Sequence, residues 1–400
     1  MPEQATGPSI PIRTSPRWMH WLNLIWNILV VLGAGSFALF LLGLSREAGS
    51  NPLVNQISVR AIYLWAYTAG FIALMAFIAL AGSIGRLTGR PKNPKPRQAG
   101  WMRFSIFLFP LVIWAVAAWN YSIVLPDWLF SLLVYLGVLI PVVWLLRMAS
   151  GHLWGQHKDR DASVISFSST FSISLIMLIQ AVIVVMAVVI IAILNPATVA
   201  QIPDSLIEIE ELLLSPVVIL AAIIFVAVIV PVVEELFKTL AVWPLLGLNI
   251  SPGEGYVAGM MSGAGFALLE GMLFGAQTAM TPGGDWVYFL IGRLGGTLIH
   301  IFNGALIGWA LAKSWQNRKF TRALVIYLLT FIIHGMWNLT VVITQLVPSL
   351  MEQEVNQSLT NTVMIILGGL IGLGFIYFGR HVLNSTKLFQ VSIAKDANAS

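Results

Sequence analysis

Apolar runs of about twenty residues or more recur along this chain from end to end. A helix rises about 1.5 Å per residue, so a run of that length crosses a hydrocarbon core about 30 Å thick. Within that core each backbone N–H and C=O must find its partner inside the protein, which leaves only helices and closed barrels. A barrel would show short stretches of alternating polarity. The runs here are continuous, so the sequence predicts an all-α, polytopic transmembrane helical bundle. We place about ten spans, at 22–44, 61–84, 104–124, 127–147, 169–194, 214–242, 256–280, 287–312, 322–346 and 360–379. The first is too long for a cleavable signal peptide and lacks a small-residue cleavage pattern. Composition agrees, with 58% hydrophobic and 10% charged residues, against about 25% charged in a soluble domain. Cysteine is absent, which excludes disulfides, thiolate ligands, a cysteine nucleophile and palmitoylation.

Loop charge tests the span count. With the N-terminus inside, the cytoplasmic segments hold 18 of the 22 Lys and Arg residues, the largest group being Arg86, Arg90, Lys92, Lys95, Arg97 and Arg103. The opposite side holds only Arg46 and Arg60. The positive-inside rule therefore expects ten spans with both termini cytoplasmic. The formal charge of +5 reflects these topology-setting loops, and no nucleic-acid partner is expected; the lipid bilayer is. Outer loops lean acidic, with Asp204, Glu208, Glu210 and Glu211 before the sixth span and Glu352 and Glu354 before the tenth. We divide the chain into an N-terminal membrane domain of about five spans with no assigned role (1–200), a polar membrane core (201–350), and the last span with a cytoplasmic tail (351–400).

Spans one to five carry no internal acid or base of note, Gln180 and Asn120 being their polar side chains of interest. The next four differ. PVVEELFK in the sixth carries Glu234, Glu235 and Lys238; FALLE in the seventh ends in Glu270; GRLGGTLIHIFNG in the eighth holds Arg293 and His300; and IIHGMWN in the ninth holds His334 and Asn338. A charged side chain at mid-bilayer costs several kcal/mol and is tolerated facing a bundle interior or wet cavity. Seven ionisable residues on four consecutive helices point to one shared site. Helical spacing puts Lys238 on nearly the same stripe as Glu234, with Glu235 slightly turned away, and puts Arg293 with His300 and His334 with Asn338 on common faces. Glu270, His300 and His334 each sit about 20 Å of rise from their span starts, near mid-membrane. Glu234 lies nearer the cytoplasmic end, so an opening toward the cytoplasm is expected. Small-residue stripes at Gly255, Gly259 and Gly263 in the seventh span, Gly304 and Gly308 in the eighth and Gly368 and Gly372 in the tenth would let helix backbones touch.

Such groups can activate water as a general base and return the proton to a leaving amine, with histidine orienting the water or bonding an oxyanion. Adjacent glutamates titrate as a pair. Glu235, Glu270, His300 and His334 could equally hold a zinc ion, although no HExxH spacing is present. No serine or threonine stands with a histidine and an acid in a plausible triad order, Ser262 and Thr297 being the hydroxyls that sequence leaves open.

EELFK (234–238) is an EExxK motif and FALLE (266–270) an FxxxE motif, followed by one histidine in each of the next two helices, His300 and His334. This ordered set resembles the PrsW family of intramembrane proteases, within the wider superfamily of CAAX prenyl proteases and bacteriocin-processing enzymes. The resemblance covers about residues 210–345. It implies an intramembrane endopeptidase with Glu234 and Glu235 at the core of its site, Glu270, His300 and His334 as their partners, and Lys238, Arg293 and Asn338 in support. It also implies a membrane-anchored, anti-sigma-factor-like protein substrate and a bacterial inner membrane. The CAAX branch typically has Arg at the position of Lys238 and His at that of Glu270, which argues against prenyl-protein processing. Two other functions compete: a proton-coupled transporter, which should show paired repeats not seen here, and an inactive scaffold of the same fold.

Overall fold

The computed structural model describes residues 17–47, 59–88, 100–121, 125–194, 216–248, 250–280, 286–346 and 357–399. Among them are ten helices long and apolar enough to cross a membrane: Trp18–Arg46, Val59–Leu87, Gly100–Ala118, Asp127–Leu153, Lys158–Ile190, Val218–Leu246, Pro252–Met280, Trp286–Asn317, Thr321–Thr344 and Ser358–Thr386. We call them spans one to ten. Each overlaps one predicted span, and no strand occurs among the described residues. The chain is an integral membrane protein built as a polytopic helical bundle. The acidic stretches at 204–211 and 352–354 and the basic residues at 90–97 lie outside the described residues.

Spans seven and eight form the centre. Each has 78% of its most apolar window buried, against 11% in span five and 17% in span ten, whose side chains mostly face outward. The reason is the small-residue stripe. A methyl group added at Gly259 would overlap the Gly304 carbonyl, one at Gly263 would overlap the His300 carbonyl, and one at Gly255 would come within 2.5 Å of the Gly308 carbonyl. The two helices thus meet backbone to backbone from residue 255 to residue 263, as the spacing predicts. Around this pair, Val142 and Leu146 of span four, Tyr256 and Met260 of span seven, Phe302 and Leu306 of span eight and Phe375 of span ten share one core. A second core joins Leu64 of span two, Val116 of span three and Phe130 and Val134 of span four to Met272 and Leu290. The early spans therefore buttress the centre directly.

Three spans carry a π-turn among the described residues. Span five contains a π-turn at Ser168–Ser172, span six one at Phe225–Ile229 and span nine one at Val342–Leu346. Each widens the helix by a residue and re-aims the side chains beyond it. Span six then tightens into a 3-10 stretch, Thr239–Val242, directly after Lys238. Gly335 in span nine leaves room for the Ala227 carbonyl in the π-turn of span six, and Tyr327 Oη donates to Val232 O at 2.8 Å, so spans six and nine are locked together within that turn and just beyond it.

Candidate active site

The polar residues of spans six to nine converge. Glu235 is fully buried, and its Oε1 pairs with Lys238 Nζ, accepts from Asn303 Nδ2 at 3.0 Å and lies 2.8 Å from His334 Nδ1. Lys238 thus pairs with Glu235 rather than with Glu234, against the stripe expected from an ideal helix. Both residues lie in the α-helical stretch Val230–Lys238, on which residues three apart are neighbours just as residues four apart are. Glu234 faces elsewhere. Its Oε1 accepts from Gln180 Nε2 of span five at 3.3 Å, and its Oε2 lies 3.8 Å from His334 Nε2.

Glu270 Oε2 lies 2.6 Å from an Arg293 guanidinium nitrogen and 2.8 Å from His300 Nε2. The other His300 nitrogen, Nδ1, is 3.5 Å from Lys238 Nζ. The rings of His300 and His334 meet edge to face with centroids 5.0 Å apart, and Phe266 covers His300 at 4.9 Å. Glu270 and Arg293 keep 18% and 12% of their side-chain area exposed, whereas Glu235 and Lys238 keep none. The network therefore meets its surroundings at the Glu270–Arg293 end, and the glycine-packed end of spans seven and eight closes the other side.

Ionised carboxylates only accept hydrogen bonds. Bonded to an ionised Glu235, His334 presents its N–H at Nδ1 and keeps a lone pair at Nε2. Bonded to Glu270, His300 presents its N–H at Nε2 and keeps a lone pair at Nδ1. Carboxylate–imidazole pairs of this kind orient metal-binding histidines. Glu234, His300 and His334 each offer one ligand atom, and these atoms lie within 4.8 Å of one another. Glu235 and Glu270, expected from sequence in a ligand set, are not in this group; each engages one oxygen with a cation and a ring nitrogen. Glu234 Oε2 and Glu235 Oε2 are buried with no hydrogen-bond partner. Two such oxygens are costly unless a proton, a water or a cation compensates them, so the donor set fits a divalent ion.

Asn303 was not singled out by sequence reading. Fully buried, it bonds Glu235 and, at 3.0 Å, the Thr330 carbonyl. Its place three residues after His300 in HIFNG, on the same helix face, is the signal that was available. Asn338 instead donates to Val226 O of the span-six π-turn at 3.0 Å, joining helices beside the cluster. Ser262 Oγ is spent on the Lys238 carbonyl, and Thr297 is buried in span eight; among the described residues no serine or threonine hydroxyl bonds a histidine of the cluster.

A polytopic helical protein that buries carboxylates, imidazoles and a lysine together between its spans has the groups that hydrolysis inside a membrane requires. Residues 172–367, nearly half the chain and including every member of this cluster, match the family described as PrsW family intramembrane metalloprotease. The chain is a PrsW-like intramembrane protease, as its ordered motifs implied. No curated protein and no solved structure matches it.

Proposed function

We propose that this cluster hydrolyses a peptide bond of a membrane-anchored protein, with Glu234 as the water-facing carboxylate. The observation that carries this is Glu234 Oε2, which is buried without a donor and lies 3.8 Å from His334 Nε2. That gap is too long for a direct hydrogen bond and suits one water bound by both groups. Glu235 is the poorer base, because Lys238, Asn303 and His334 all stabilise its anion.

In this reading one water O–H donates a hydrogen bond to His334 Nε2, which fixes the water's direction without taking that proton. Glu234 takes the other proton as the water oxygen attacks the scissile carbonyl carbon. The C–N bond then breaks, and the carboxylic acid of Glu234 returns its proton to the leaving nitrogen. Glu235 and Glu270 hold the two imidazoles in one tautomer each, while Lys238 and Arg293 balance the two carboxylates. A divalent ion, zinc by the chemistry of its ligands, would be held by Glu234, His300 and His334 and would supply Lewis-acid polarisation. With Glu234 so engaged, Glu235 Oε2 is the other buried oxygen without a donor that can take a proton.

The family resemblance supports a single-span, anti-sigma-factor-like substrate and a bacterial inner membrane with both termini cytoplasmic. In the same reading residues 201–350 are the catalytic core, 1–200 its buttress and 351–400 a closing span and tail. Co-expression of a single-span substrate with wild type, Glu234→Gln and Glu235→Gln tests the proposal. Both variants are expected to leave the substrate intact, Glu234→Gln while reaching the membrane at normal levels. Cleavage by Glu234→Gln at the wild-type rate would remove Glu234 from the chemistry.

A further inference from the structure

Span five lies outside the four helices that carry the acid–base motifs, yet it reaches their cluster. From Ile173 to Leu194 it reads ISLIMLIQAVIVVMAVVIIAIL, with Ser174 and Gln180 its only polar side chains. A primary amide in such a run needs a partner inside the protein. Gln180 has one in Glu234 Oε1, at 3.3 Å.

The contact is built, and two features show how. Ile173, Ile176, Ile179 and Ile183 of span five pack with Val233 and Phe237 of span six and with Phe266 of span seven, so the helix carrying Gln180 is seated against the helix carrying Glu234. Each of the two helices also has a π-turn upstream of the contact, at Ser168–Ser172 and at Phe225–Ile229. An added residue turns the following helix by roughly a quarter of a revolution relative to a regular one. Ser168 Oγ donates to Ser262 O at 2.6 Å, and Ser262 Oγ donates to Lys238 O, tying the first π-turn to the lysine end of the cluster. Both helices are thus set to bring an amide and a carboxylate together.

We propose that Gln180 is a positioning residue of this site. It holds Glu234 Oε1, and so keeps Oε2 turned toward His334 and His300. The terminal torsion of a glutamate is broad and nearly free, so a carboxylate with neither oxygen held would spread over orientations that do not face the histidines. This rests on the function proposed above and adds to it the one helix of the site that its motifs do not mark.

The test uses the full-length protein in nanodiscs and a labelled single-span peptide that the wild type cleaves. Gln180→Leu keeps the side chain close in size and removes the donor. Loss of one hydrogen bond to a charged group predicts a fall in kcat of about 10- to 100-fold, with KM within about twofold and the thermal unfolding midpoint unchanged. The double variant Gln180→Leu/Glu234→Gln should be no slower than Glu234→Gln alone, because the two residues act through one contact. A wild-type kcat in Gln180→Leu would overturn the proposal, as would a rise in KM alone or a kcat loss that tracks a lower unfolding midpoint. Additive losses in the double variant would overturn it as well. If Glu234→Gln itself cleaves like wild type, the functional reading fails first and the role of Gln180 goes with it; if Glu234→Gln is dead and Gln180→Leu is normal, only the positioning role fails.

Discussion

Replacing Glu235 with glutamine removes one half of an ion pair that has no exposed surface. Its Oε1 is shared among Lys238, Asn303 at 3.0 Å and His334 at 2.8 Å. Glutamine keeps a carbonyl acceptor there but no charge, and leaves Lys238 buried without the carboxylate it pairs with. Removing one partner of a buried pair typically costs about 3–5 kcal/mol. The same change at Glu234 disturbs one 3.3 Å contact with Gln180 and an oxygen that has no donor, a loss of about 1 kcal/mol or less. Adjacent residues carrying the same substitution should therefore part company. Glu235→Gln should unfold about 3–5 kcal/mol more easily, and Glu234→Gln should hold near wild-type stability while losing about 10²- to 10⁴-fold in cleavage. Equilibrium unfolding in mixed micelles by SDS titration, followed by tryptophan fluorescence, measures the first; single-turnover cleavage measures the second. Glu235→Gln/Lys238→Met, which removes both charges, should recover most of the lost stability. Equal stability of the two single variants would refute the division of labour drawn from the geometry.

The same contacts predict three further outcomes. Dialysis against a chelator should abolish cleavage and added zinc should restore it. Metal content measured by atomic absorption should fall in Glu234→Gln, His300→Ala and His334→Ala, whereas Arg293→Gln should keep its metal. Gly263→Ala forces a methyl onto the His300 carbonyl and should cost about 1–3 kcal/mol through overpacking, together with lost cleavage; Gly33→Ala, where nothing lies within 4 Å, should change neither. Asn303→Leu, close in volume, removes the amide that bonds both Glu235 and the Thr330 carbonyl, and should destabilise by about 1–3 kcal/mol in the same unfolding assay.

Much of the fold was legible because the bilayer allows so few backbones. An apolar run of bilayer length has one viable conformation, so all ten spans could be placed from hydropathy alone. The convergence of Glu234, Glu235, Lys238, Glu270, Arg293, His300 and His334 was legible for a related reason: each is too costly to leave facing lipid. The hidden part depended on local winding. Which of two neighbouring glutamates meets Lys238 is left open by helical spacing, because residues three and four apart are both neighbours, and which meets Gln180 turns on two π-turns that no residue pattern announces. Asn303 is uncharged, so hydropathy did not flag it. Asn338 sits on the predicted face but spends its donor on the Val226 carbonyl, a group the π-turn of span six exposes. That Glu234, and not Glu235 or Glu270, groups with the two histidines depends on side-chain placement that residue spacing does not show.

The widened turn at Phe225–Ile229 also separates two jobs that a regular helix would couple. Everything before it in span six is aliphatic and contacts mainly the surroundings, and everything after it aims the carboxylates. The turn itself is pinned from span nine, by Gly335 against the Ala227 carbonyl and by Asn338 on the Val226 carbonyl, so the carboxylates take their bearing from that neighbour and not from the aliphatic lead-in.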